Sequence, residues 1–239
     1  MSEQLLTARL VRSVPLSEAT KHLKFEVLEV PRFDFAAGQF VSLKAMHDGR
    51  EITRAYSIAS PPDERHFALC LNRVPDGFFS NYLCDLSEGA EIRFSGPHGY
   101  FTLRNPVRDS IFIATGTGIA PLRGMLHWLF RPENRIRHQE HEFWLVFGVR
   151  WEKDLYYHDE FLKLAREHPN FHYVPTLSRE NPGWEGATGY VQEHVRCIAD
   201  GRTDMDAYIC GLSDMVKANR DLLKSLGWDR KAIVYERFD

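Results

Sequence analysis

Residues 54 to 60, RAYSIAS, put a guanidinium, a phenol and a small hydroxyl within four positions: Arg54, Ala55, Tyr56, Ser57. In an extended chain successive side chains point to opposite faces, so Arg54 and Tyr56 share one face while Ala55 and Ser57 share the other. A cation then lies beside an aromatic plate. Such a pair suits a binding surface, and it equally suits an edge strand with a solvated Arg and a Tyr over the core rim.

A second candidate stands at the centre of the chain. The apolar run SIFIAT leads into GTGIAP, Gly116 to Pro121, and then into a helical pattern. Glycine at such a junction admits an unusual φ and close approach of a ligand, while the free N–H groups and dipole of the following helix attract phosphate or carboxamide oxygens. The motif departs from G-x-G-x-x-G by ending on Pro121, which a first helical turn accepts. A tight structural turn is the alternative. Open α/β sheets bind ligands at the carboxyl ends of their strands, and there the chain carries Thr176, Ser178 and Arg179, then Cys210 and Gly211, then Glu236 to Phe238. The spacing predicts that these converge on one crevice. Ser178 with Arg179 suits a clamp on an adenosine 2′-phosphate, or Arg179 is a solvated loop cation. Cys210 is either part of that site or a small buried hydrophobe.

The elements that must position these residues follow two grammars. Up to about Arg104 the chain reads as short strands, LLTARLVRSV, HLKFEVLEV, QFVSLKA, EITRAYSIAS, HFALCLNRV and AEIRFSG, with one helix, FFSNYLCDL, before the last. That pattern predicts an antiparallel β-barrel over 1–104. From Asp109 apolar strands alternate with amphipathic segments, which predicts an α/β domain over 105–239 with a parallel five-stranded sheet.

Composition narrows the function. In 239 residues, 44% are hydrophobic and 26% charged, and the net charge of −3 gives no basic excess for nucleic acid. No apolar run approaches the ~20 residues of a membrane span, and MSEQLLTARLVRS lacks a signal peptide's apolar core. These point to a cytoplasmic protein. Cys70, Cys84, Cys197 and Cys210 form no C-x-x-C pair, and no histidine spacing suggests a metal site.

The ordered set Arg54-Ala55-Tyr56-Ser57, Gly77-Phe78-Phe79-Ser80, Gly96-Pro97-x-Gly99, GTGIAP, Cys210-Gly211 and a terminal YERF resembles the ferredoxin–NADP⁺ reductase superfamily, from Gly38 to Phe238. The resemblance implies a flavin-binding barrel and an NADP(H)-binding α/β domain. It implies FAD, with FMN second, and NADPH as cosubstrate, with NADH possible for some relatives. It assigns the flavin pyrophosphate to Arg54 and to Gly77, Phe78, Phe79 and Ser80, the isoalloxazine to Tyr56, and flavin N5 to Ser57. Ala55, Leu71, Asn72 and Arg73 join the flavin contacts. Thr115, Gly116, Thr117, Gly118, Pro121, Thr176, Gly211 and Met215 fall to the nicotinamide nucleotide, with Ser178 and Arg179 on its 2′-phosphate. Ser57, Cys210 and Glu236 take the catalytic positions. Phe238 caps the flavin, or buries against the core; the family's plant members end on Tyr, whereas here Asp239 follows Phe238. The implied activity is hydride exchange between NADPH and FAD and one-electron exchange with a separate ferredoxin or flavodoxin, the absence of a C-x₄-C-x₂-C run arguing against a fused iron–sulfur domain. An NAD(P)H:flavin reductase, an NADH-dependent oxygenase reductase and a non-catalytic flavin-bearing subunit are the alternatives.

Overall fold

The computed structural model describes residues 5–238; the first four residues and Asp239 lie outside the described residues. The chain forms two compact units, one running to Leu103 and including Arg123–Trp128, the other formed by Arg104–Leu122 and the chain from Leu129 onward.

The first unit contains β1 (Leu6–Pro15), β2 (Thr20–Val27), β3 (Phe40–His47), β4 (Arg50–Ser57), β5 (His66–Asn72), helix α1 (Phe78–Asp85) and β6 (Glu91–His98). The strands pair antiparallel in the order β4-β3-β6-β1-β2-β5. A bridge between Ile58 and Leu69 joins the continuation of β4 to β5 and closes the sheet on itself. Alternating positions point inward: Leu10, Leu23, Phe25, Val41, Leu43, Phe67 and Phe94 are fully buried. Phe67 stacks on Phe25 at 5.4 Å between centroids, and Phe33 meets Phe94 edge-on. β4 is the exception, exposed along most of its length and buried only as it reaches Ser57.

From Arg104 onward the order is β7 (Ser110–Thr115), α2 (Ile119–Leu129, of which 123–128 belong to the first unit), α3 (Pro132–Arg135), β8 (Phe143–Val149), α4 (His158–Glu167), β9 (Phe171–Leu177), β10 (Ala187–Thr188), α5 (Val191–Ala199), β11 (Asp206–Leu212), α6 (Ser213–Ser225) and β12 (Ile233–Phe238). All strands run parallel, ordered β10-β9-β8-β7-β11-β12. The sheet therefore has six strands, not the expected five. The added edge, Ala187 and Thr188, pairs with Thr176 and Leu177, and two residues are too few to show a strand period in sequence. Ile111, Ile113, Val146 and Ile209 on one face pack with Val195 of α5 and Val216 of α6. On the other, Phe112 stacks on Tyr208 at 5.1 Å. No helix among the described residues is long and apolar enough to cross a membrane.

Entry into this unit is tied to β11. Asp206, fully buried, accepts from Arg108 Nη2 at 2.6 Å, and its backbone N–H donates to the Asp109 carbonyl. The hydroxyl of Tyr208 accepts the Arg104 N–H at 2.9 Å. The Arg108 side chain is 44% exposed, so losing its partner returns it to water rather than stranding a buried charge. We expect Asp206→Ala to cost about 1.5–3 kcal/mol, the range for hydrogen bonds to charged groups, seen as a lower urea midpoint at unchanged m-value.

Candidate functional site

Two surfaces carry the residues singled out in sequence, one on each unit. On the barrel, Ile52, Arg54 and Tyr56 share a face of β4. Ile52 and Tyr56 pack against the core cluster, whereas Arg54 is exposed and its Nη1 donates to the Thr53 carbonyl at 2.8 Å. Ala55 is exposed as well, and Ser57, at the closure of the barrel, is buried. Burial pushes the Tyr56 phenol up to about 12, with Cys84 adding to the shift and Arg54 opposing it. The ring is therefore a neutral donor throughout the physiological range.

Helix α1 begins at Gly77, which supplies no side chain to cap it. Its first N–H groups, on Phe78, Phe79 and Ser80, have no intrahelical carbonyl to bond, the condition under which a helix end can hold an anion. The Ser80 hydroxyl is committed elsewhere: it accepts the Val74 N–H at 3.0 Å and donates to the Gly77 carbonyl at 3.3 Å, shaping the loop. Phe79 is buried, and Phe78 stacks on His47 at 3.9 Å between ring centroids. Of the β5 residues, Leu71 is buried and Asn72 accepts from the Thr20 hydroxyl. Arg73 forks onto α1, its Nη2 at 2.5 Å from Asp85 and its Nη1 at 2.8 Å from Asn81. These last two hold the scaffold.

On the second unit the sheet order reverses at β7, whose successor β8 lies on one side and β11 on the other. That is the switch point where open α/β sheets open a crevice. Gly116, Thr117 and Gly118 form a 3₁₀ turn at the end of β7, leading into α2 with Pro121 buried in its first turn. A β-carbon on Gly118 would stand 2.2 Å from the Cys210 carbonyl oxygen. Gly211 has φ +147°, and a β-carbon there would stand 2.5 Å from Thr115 Oγ1 and 2.8 Å from Met215 Cε. Thr115 Oγ1 itself is buried without a hydrogen-bond partner, and beside Gly116 a β-carbon would meet nothing within 4 Å. An orphaned hydroxyl next to open backbone at a helix N-terminus fits a nucleotide rich in hydrogen-bonding groups.

Other predicted residues divide. Cys210 is fully buried, opposite Glu236 in the β11–β12 register. Burial first, then the Glu236 charge, pushes its thiol well above the ordinary range, so it is a neutral S–H and not a nucleophile. Phe238 pairs with Leu212 and is partly exposed. Ser178 and the exposed Arg179 sit together just past β9. Thr176 does not join them: it is fully buried, and its hydroxyl donates to the Gly189 carbonyl at 3.0 Å beside His194 Nε2. Its backbone pairs there with Ala187 of the added strand β10. Sequence reasoning passed over Asn181 and Glu152, whose side chains join the loops after β9 and β8. No motif marks them, since the bond spans 29 positions.

Residues 7–103 match the family model "Oxidoreductase FAD-binding domain", and residues 112–221 match "Oxidoreductase NAD-binding domain". The chain is 44% identical over 242 residues to ferredoxin–NADP reductase B of Sorangium cellulosum (strain So ce56), covering 97% of each protein. It is 35% identical over 235 residues to the reductase component of phenol 2-monooxygenase from Pseudomonas sp. (strain CF600), with 94% of this chain but 63% of that protein aligned. This chain thus spans under two thirds of that relative. A crystal structure of an Amycolatopsis cytochrome P450 reductase superposes with a TM-score of 0.86 at 29% identity, over 98% of this chain and 70% of the other.

Two outcomes follow from the geometry. Gly118→Ala forces the first crossover away from Cys210 and should lower the melting temperature and abolish nucleotide retention on an adenosine-phosphate resin. The Tyr56 pKa lies near 12 in the fold against about 10 unfolded, so its contribution to stability is whole below pH 10 and is lost as pH rises towards 12. In an ultraviolet tyrosinate titration Tyr56→Phe should delete a late-ionising phenol and leave the early ones unchanged.

Proposed function

The chain belongs to the ferredoxin–NADP⁺ reductase superfamily of FAD- and NAD-binding oxidoreductases, and we propose that it exchanges a hydride between NADPH and FAD and single electrons between FAD and a separate ferredoxin or flavodoxin. The observation that carries this is the 44% identity, spread over 97% of both chains, to a ferredoxin–NADP reductase. FAD, when bound, supplies the conversion between a two-electron and a one-electron carrier.

The chain's own residues bind and orient. Arg54 presents a planar guanidinium that matches a pyrophosphate, and the first N–H groups of α1 add neutral donors to the same anion. Tyr56 offers a ring face to the isoalloxazine, and Ser57, the small residue at the barrel closure, leaves room for a hydrogen bond near flavin N5. On the other unit, the Thr115 hydroxyl, the Gly116–Gly118 turn and the start of α2 would hold the nicotinamide end and pyrophosphate of the nucleotide. Cys210 would border the nicotinamide ring, and Glu236 and Phe238 would lie beside the flavin. The thiol stays protonated, so it shapes the site rather than attacking. Ser178 and Arg179 would bind the 2′-phosphate, which supports NADPH over NADH. Hydride transfer needs the donor and acceptor atoms at roughly 3–3.5 Å, and a site of this kind contributes position more than acid–base chemistry.

The similarity to a phenol monooxygenase reductase component favours a second reading, an NADH-dependent reductase serving an oxygenase. Stoichiometric NADPH or NADH added to the flavin-loaded protein without oxygen separates the two. We expect rapid bleaching of the flavin band by NADPH, far slower bleaching by NADH, and reoxidation on adding ferredoxin or flavodoxin. Bleaching by NADH alone would replace this reading with the oxygenase one, and bleaching by neither would leave a non-catalytic flavin subunit.

A further inference from the structure

We propose that Asn181 and Glu152 are positioning residues that hold the loop bearing Ser178 and Arg179 in register for the 2′-phosphate, and so set the preference for NADPH over NADH. The inference rests on the reading of Ser178 and Arg179 as the 2′-phosphate clamp.

The Arg179 guanidinium is exposed, and its Nη1 makes one long contact, 3.4 Å to the Ser178 carbonyl. Among the described residues no carboxylate pairs with it. Its position must therefore come from the backbone that carries it. That backbone is pinned at both ends, by Ser178 N–H to the Val149 carbonyl and by Gly189 N–H to the Leu177 carbonyl, each 2.9 Å. Between the pins the loop ties itself: the Trp184 N–H donates to the Asn181 carbonyl across Pro182-Gly183, and the Trp184 indole donates to the Ala187 carbonyl at 2.9 Å. Neither bond reaches outside the loop. The cross-tie is Asn181 Nδ2 donating to Glu152 Oε2 at 3.0 Å. Glu152 begins the short turn after β8, whose backbone is itself closed by Leu155 N–H to the Glu152 carbonyl.

This arrangement suits an anion site. The amide links the two loops through a neutral donor, so the tie adds no second positive charge beside Arg179. NADH has no 2′-phosphate, so loosening the tie should cost NADPH alone.

The test compares Asn181→Ala, Glu152→Ala, Glu152→Gln and Arg179→Ala in the flavin-loaded protein, by calorimetry with adenosine 2′-monophosphate and by steady-state kinetics with each nucleotide. We expect Asn181→Ala and Glu152→Ala to weaken adenosine 2′-monophosphate and raise the KM for NADPH about tenfold, with kcat and the KM for NADH unchanged. Glu152→Gln, which can still accept from Asn181, should retain wild-type values. Unchanged affinity in Asn181→Ala alongside a large loss in Arg179→Ala would overturn the proposal and leave the clamp standing. Unchanged affinity in Arg179→Ala would remove the clamp itself. Equal losses for NADPH and NADH, or a loss in Glu152→Gln as large as in Glu152→Ala, would also overturn the tie.

Discussion

At the end of β7 the backbone of Gly118 lies so close to the Cys210 carbonyl that a β-carbon would sit 2.2 Å from its oxygen. Everything in the second unit's crevice depends on this approach. It seats the first crossover on the end of β11, delivers the start of α2 to the switch point and buries Cys210 beneath it. Thr115 is then left with a buried hydroxyl and no protein partner, an arrangement that costs stability unless a ligand answers it. The same closeness explains Gly211, whose φ of +147° and contact with Thr115 Oγ1 leave no place for a side chain.

The barrel meets a different constraint. One strand carries an exposed cation, a half-buried ring and a buried small hydroxyl while it still closes a hydrophobic core. β4 satisfies both by running exposed for most of its length and turning inward at Ser57, where Ile58 bridges to Leu69. Helix α1 is held by Arg73, whose fork onto Asp85 and Asn81 ties the helix to the chain that follows β5. Ser80 contributes by shaping the loop that leads into that helix.

Nucleotide recognition in such a fold is a matter of presentation. An exposed arginine side chain has several rotatable bonds, so a backbone already in place lowers the ordering cost of any contact it makes. The loop between β9 and β10 is ordered by a turn, an indole hydrogen bond and one amide–carboxylate bond.

The alternating strands of the barrel, the apolar strands of the parallel sheet and the order of motifs from Arg54 to Phe238 were legible in the amino-acid sequence, because period and glycine placement are local properties. The glycine turn after SIFIAT was legible for the same reason. What tertiary structure alone decided are the features set by pairing between distant segments. The sixth strand is two residues long and exists through its bonds to Thr176 and Leu177. The Thr176 hydroxyl donates to the Gly189 carbonyl, and the Ser80 hydroxyl accepts from Val74 in its own loop. Asn181 finds Glu152 across 29 positions. A polar side chain has several possible partners, and which one it takes depends on the three-dimensional arrangement that brings the partner within hydrogen-bond distance.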